Sequence, residues 1–250
     1  MKRVFSLLTS LILLHFLPAQ DYEWAHRIGN GNADQGRGIA ADANGNVYIC
    51  GVFSGTIDMD PGAGISNLTS AGGQDIFIAQ YSPVGALNWA VRVGGTVNDL
   101  PIDLAVDASS NVIVTGVFRG TVDFNPGAGV ANTTSSGQED MFLLKLNSLG
   151  AYQWHVAVGG TANDGGHAVA TDANDAIYVT GGFEGILIDF NPNGVASTEI
   201  SFGQENIFIA KYNALGILQW VENIGNTSTD DLGQGIATDN NGDVYVTGWF

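Results

Sequence analysis

A single cysteine in 250 residues excludes a disulfide framework. Cys50 stands among apolar, strand-type neighbours in Val47-Tyr48-Ile49-Cys50, where a buried, inert thiol is expected. Basic residues are scarce: 8 Lys and Arg face 25 Asp and Glu, for a formal charge of -17. Binding a phosphate backbone requires clustered Lys and Arg, so no nucleic acid partner is expected. All charged residues together make up 13% of the chain, about half the ~25% of an average protein. Few solvated helix faces can be built from so little charge. What the chain has instead is glycine, 35 residues of it, roughly twice the average share, and therefore many turns.

The one long apolar stretch is at the start. Lys2 and Arg3 precede a run from Val4 to Leu17, followed by Leu17-Pro18-Ala19, which reads as a secretory signal cleaved after Ala19. The run is shorter than the ~20 residues that span a bilayer, so no membrane span is expected after its removal. An exported protein, secreted or held at the cell surface, is the expectation. The domain that remains is 20–250, and without Lys2 and Arg3 it keeps 6 basic and 25 acidic residues.

This domain repeats. Trp24, Trp89, Trp154 and Trp220 are 65, 65 and 66 residues apart; Asp42, Asp107, Asp172 and Asp239 are 65, 65 and 67 apart; Phe53, Phe118, Phe183 and Phe250 follow the same course. Within each period short apolar runs alternate with turn chemistry, the pattern of strands. Four strands per period are predicted, here a to d: GIAAD (38–42), NVYICGVF (46–53), DIFIAQY (75–81) and LNWAVRVG (87–94). Asn44-Gly45 supplies a hairpin turn between a and b, and a loop of about twenty residues separates b from c. Four strands per unit is the arithmetic of a β-propeller blade.

The run GIAxDxxGNVYxxG, then DxFIAKY and a tryptophan strand, resembles the bacterial β-propeller repeat called SBBP and, more distantly, NHL repeats. The resemblance covers Trp24 to Phe250. It implies a propeller without assigned chemistry. The expected fold is all-β: blades at about 37–94, 102–159 and 167–225, a partial blade at 234–250, and a lone strand d at 22–29. That offset suits ring closure, which needs a strand c absent before Phe250, so an open arc truncated at 250 is expected.

Two sets of acids recur. In the b–c loop, Asp58 and Asp60, Asp123 and Asn125, and Asp189 and Asn191 precede Pro and Gly. They offer hard oxygen ligands in a tight turn, and calcium is the cation such ligands suit. The alternative is an Asp or Asn turn with no metal. Before strand a stand Asp34, Asp99, Asp164 and Asp231. Propeller topology brings both loops to one face, giving an acidic ring for a cation, a glycan or a protein, unless each Asp caps backbone N–H groups of its own loop. Asp42 to Asn46 and Asp239 to Asp243 imitate an EF-hand start but lack the later ligands and read as hairpin turns. The recurrent tryptophans, with Phe77, Phe142 and Phe208, read as core between blades. Trp249, with no counterpart, is the more individual aromatic.

Catalytic groups are sparse. His26, His155 and His167 lie at different phases of the repeat, and Cys50 has no evident partner, so neither a metal cluster nor a nucleophile dyad is suggested. A non-catalytic binding, adhesion or scaffolding module is the expectation. An accessory propeller of a secreted enzyme and a purely structural spacer are the alternatives.

Overall fold

The structure, a computed structural model, describes residues 23–201, 204–225, 230–239 and 241–249. The leader at 1–19 and Phe250 lie outside these residues. No helix occurs among the described residues.

The first blade is β1 (Gln35–Ala41), β2 (Val47–Phe53), β5 (Asp75–Tyr81) and β6 (Leu87–Gly95), antiparallel in that order. Between β2 and β5 the chain makes a separate hairpin of β3 (Thr56–Asp58) and β4 (Asn67–Thr69). The second blade repeats this with β7 (Leu100–Val106), β8 (Val112–Phe118), β11 (Asp140–Leu146) and β12 (Tyr152–Val158), and its hairpin is β9 (Thr121–Asp123) and β10 (Asn132–Thr134). The third has β13 (Gly165–Thr171), β14 (Ile177–Phe183), β17 (Asn206–Tyr212) and β18 (Leu218–Ile224), with hairpin strands β15 (Ile188–Asp189) and β16 (Thr198–Glu199). β19 (Leu232–Thr238) and β20 (Val244–Trp249) form half a blade. The architecture is the expected all-β propeller arc.

Local chemistry explains the repetition. At each a–b turn one Asp oxygen accepts two backbone N–H groups, as Asp42 Oδ1 does from Asn44 and Asn46, both at 2.9 Å. Asp107, Asp172 and Asp239 repeat the arrangement, so these acids are turn caps. Every strand a is bulged at the same place: β1 between Gly36 and Gly38, β7 between Pro101 and Asp103, β13 between Gly166 and Ala168, β19 between Gly233 and Gly235. The bulge pushes a carbonyl over the facing strand. A Cβ on Gly116 would lie 2.1 Å from the Leu100 oxygen, and Gly51, Gly181 and Gly248 meet the same obstacle. Glycine in the middle of strand b is thus imposed by its neighbour.

Blades are joined through the tryptophans. Trp89 Nε1 donates to the Ser148 carbonyl of the next blade's c–d turn at 2.9 Å, and Trp154 does the same to Ala214 at 3.1 Å. The indole lies against Gly150, whose φ of 76° leaves the backbone flat against the ring. Apolar clusters fill the spaces between sheets. Tyr48, Cys50 and Ile78 pack on Leu104, Val114 and Phe142, and Ile113, Leu143 and Val156 pack on Val169, Val179 and Phe208. Each fully buried Phe or Leu contributes roughly 1.5–3 kcal/mol, so the inter-blade cores hold the arc together. β5, β8, β11 and β14 are buried along their whole length, whereas the outer strands alternate.

Two expectations change. The long b–c loop carries a hairpin in each blade, and that of the second blade returns to the first, where β9 extends the edge of β6 through Gly94↔Asp123 and Gly95↔Val122, covering an otherwise open edge. Residues 23–29 are not a β-strand, because a strand d pairs with a strand c and no strand c lies beside them. They still dock as one, since Trp24 Nε1 donates to the Pro83 carbonyl at 2.9 Å.

Candidate functional site

The loops between d and a and those following b come together at one end of the blades. Asp99 fixes the contact: Oδ2 accepts the Gly95 N–H at 2.7 Å, and Oδ1 accepts the Arg119 N–H at 3.1 Å. Asp164 does likewise with Gly160 at 2.6 Å and Glu184 at 2.9 Å, and Asp34 with Asn30 and Ser54. Asp99, Asp164 and Asp231 are buried, and Asp34 is half-buried. Desolvation pushes the Asp99 and Asp164 carboxyls up to about 6, against the opposing pull of their N–H donors. Of the two readings of these acids, an open ring or caps of backbone N–H groups, Asp34, Asp99 and Asp164 follow the second, and with Asp231 they lie in the joints between turns.

The second set is also occupied. Asp58 Oδ1 accepts the N–H groups of Asp60 at 3.0 Å and Ser66 at 2.8 Å, which lower its carboxyl below the usual range. Asp123 and Asp189 hold Asn125 with Ala131, and Asn191 with Ser197, in the same way. Asp60 and Asn125 accept the N–H of Gly62 and Gly127, while Asn191 donates to the Val195 carbonyl. Each pair folds its hairpin tip. Among the described residues no three His, Cys, Asp or Glu side chains come together as a metal ion requires.

Further carboxylates lie beside these caps, Glu184 and Asp230 exposed and Glu205 half-buried, at positions where the blades differ. In the second blade Arg119 Nε and Nη2 donate to Glu139 Oε1 at 2.9 and 2.5 Å. One period later the same two positions hold Glu184 and Glu205, and Asp230 takes the place of Asn98 and Asn163. An ion pair has become a cluster of like charge. Burial, then the charges of Asp230, Asp164 and Glu184, push the Glu205 carboxyl up to about 7. These residues are not constant across the repeat; the signal in the sequence is a change of sign, Arg to Glu, at a constant position.

The remaining reactive groups are engaged in packing. The His155 ring stacks on Phe124 with centroids 4.5 Å apart, Tyr152 and Thr133 flank its nitrogens at 2.9 and 2.7 Å, and burial lowers its basicity. His26 stacks on Trp24 and meets the Gly85 carbonyl at 2.8 Å. Burial lowers His167 as well, and raises the Cys50 thiol to about 12.

The profile of the SBBP β-propeller repeat matches residues 23–52 and 219–249. The chain carries SBBP repeats at these two places. An uncharacterized WD repeat-containing protein of Acanthamoeba polyphaga mimivirus is 30% identical over 240 residues, covering 83% of this chain and 17% of that protein. The regulatory protein FlaEY of Caulobacter vibrioides is 29% identical over 139 residues, 56% of this chain and 14% of that protein. The chain therefore spans less than a fifth of the length of these curated relatives. A solved structure of a protein of unknown function from Bacteroides caccae covers 76% of this chain and 82% of its own, with 11% identity and a TM-score of 0.25, too low to bear on the fold. Among the described residues no helix is long and apolar enough to cross a membrane.

The raised carboxyls of the SBBP loop face fix a pH dependence. Glu205, Asp99 and Asp164 bind protons more tightly folded than unfolded, so their contribution is full below about pH 4 and is lost as pH rises through 6 to 7. His155 and His167, lowered by burial, act in the opposite sense over the same range, so the effect is read by difference: going from pH 5 to pH 8 in denaturant melts, wild type is expected to lose more stability, or gain less, than Glu205→Gln.

Proposed function

We propose that this SBBP chain is an exported, non-catalytic binding or scaffolding module whose loop face receives a cationic group of an extracellular partner. The observation that carries the reading is the replacement of the Arg119–Glu139 pair by Glu184 and Glu205, with Asp230 beside them. An unneutralised carboxylate cluster costs stability above pH 7, and a bound cation or a Lys or Arg side chain removes that cost. The strong net negative charge steers the same class of partner. The basic leader of Met1 to Ala19 supports export.

Titration with an oligolysine peptide and with calcium tests the reading. Oligolysine is expected to bind, with affinity falling as salt rises, and Glu184→Gln/Glu205→Gln is expected to weaken it several-fold. Calcium is expected to raise Tm if the cation is a metal. Absence of any interaction with both probes overturns the proposal. A second reading, in which the propeller is accessory to a catalytic domain of a longer polypeptide, has in its favour the greater length of the relatives.

A further inference from the structure

The hairpin inserted after strand b is the same device in three blades, but its base differs in the third. In the first and second blades the base is a pair of exposed threonines, Thr56 with Thr69 and Thr121 with Thr134, whose hydroxyls meet at 2.9 and 2.7 Å. The third blade keeps the frame: the Gly185 N–H donates to the Ser201 hydroxyl, as Gly55 does to Ser70 and Gly120 to Ser135. Inside that frame the threonines are gone. Ile186-Leu187 stands in place of Thr56 or Thr121, one residue longer, and Ile200 in place of Thr69 or Thr134. All three side chains face solvent, Ile186 at 74%, Leu187 at 64% and Ile200 at 39% exposure. The threonines they replace are exposed too, although a complete blade follows each of them. Exposure therefore belongs to the position in the blade, and the aliphatic character to the third blade.

This patch does not serve the fold. Threonine closes the same hairpin twice, and Leu187 sits at a φ of 58°, in the left-handed region where its Cβ crowds the backbone. Strain kept in an exposed apolar residue marks a contact made with something else. The patch also adjoins carboxylates. Glu184 is two residues before Ile186, and after burial it is the charges of Asp230, Asp164 and Glu184 that raise the Glu205 carboxyl. Both departures from the repeat, acid for Arg and aliphatic for Thr, thus fall in one loop.

We propose that this loop receives a polypeptide segment in which a Lys or Arg stands beside large aliphatic side chains, a conclusion resting on the reading of the loop face as a receiver of cationic groups. The cationic head meets Glu184, Glu205 and Asp230, and the aliphatic groups cover Ile186, Leu187 and Ile200. Charge complementarity selects this occupant, and the apolar flank keeps water from the ion pair and strengthens it. A metal ion has no use for the apolar part. A second copy of this chain, with 25 Asp and Glu against 8 Lys and Arg, brings like charge.

Two labelled hexapeptides of equal charge, Lys-Lys-Leu-Leu-Lys-Lys and Lys-Lys-Gly-Gly-Lys-Lys, test this by fluorescence anisotropy. Wild type is expected to bind the leucine peptide roughly tenfold more tightly, the worth of about one buried aliphatic side chain. Ile186→Thr/Leu187→Asn restores the threonine and supplies a residue that tolerates positive φ. It is expected to keep or raise Tm and to lose the preference, with affinity for the glycine peptide unchanged; Ile200→Thr, outside the insertion, is expected to reduce the preference several-fold. Equal binding of the two peptides by wild type, or a preference that survives in both variants, overturns the proposal and leaves the cationic reading standing. Binding of neither peptide removes both. Self-association of wild type that the double variant abolishes assigns the patch to a second copy and overturns the proposal as well.

Discussion

Gly116→Ala is expected to lose about 3 kcal/mol of stability, within the range for overpacking a closed site. The added Cβ would lie 2.1 Å from the Leu100 carbonyl and 2.9 Å from the Pro101 Cα. Both are backbone atoms held by the bulge in β7 and by its pairing with β8, so no side chain can rotate away. Either the bulge flattens or the β7–β8 ladder parts. Asp103, just past the bulge, accepts the Val169 N–H at 2.9 Å, so the damage reaches the third blade. Gly31, with nothing within 4 Å of its Cβ position, is the control, and Gly31→Ala is expected to change stability by less than about 0.5 kcal/mol. Urea denaturation of the two variants makes the comparison.

Lys145→Ala is the second large effect. Lys145 Nζ lies 2.8 Å from Asp107 Oδ2 and 3.3 Å from the Ala214 carbonyl of the next blade, with both ion-pair side chains almost wholly buried. Removing one partner of a buried pair strands the other, at about 3–5 kcal/mol. The first blade shows the neutral solution. Gln80 occupies the same position, bonding to the Tyr48 hydroxyl at 2.5 Å, and the corresponding Asp42 is half-buried. Asp107→Asn together with Lys145→Gln is accordingly expected to cost less than Lys145→Ala alone. A double-mutant cycle in denaturant gives the coupling.

The period of 65 was legible because each marker does the same job in every blade. Trp24, Trp89 and Trp154 each seal against a c–d turn glycine one blade on, and Asp42, Asp107, Asp172 and Asp239 each cap an a–b turn. The inserted hairpins were not legible: their strands are two or three residues long, too short to show alternation, and are held by side-chain caps and, for β9, by a ladder to another blade. Nor was the burial of Asp99 and Asp164. Their partners, Arg119 and Glu184, lie 20 residues away and donate through the backbone, so no residue type marks them. The capping of the own loop, at Gly95 and Gly160, was among the readings of the sequence; the second donor, from the loop after strand b, was not. Glu184, Glu205 and Asp230 stood where the repeat departs from itself.

The division of these acids into backbone caps and an unneutralised binding cluster has opposite consequences for stability, and thermal melts at pH 8 of Asp164→Ala and of Glu184→Gln/Glu205→Gln compare them directly. A lower Tm is expected for Asp164→Ala, which leaves the Gly160 and Glu184 N–H groups without their acceptor, and a higher Tm for the double variant, which relieves like-charge repulsion. A rise for Asp164→Ala, or a fall for the double variant, would contradict this division.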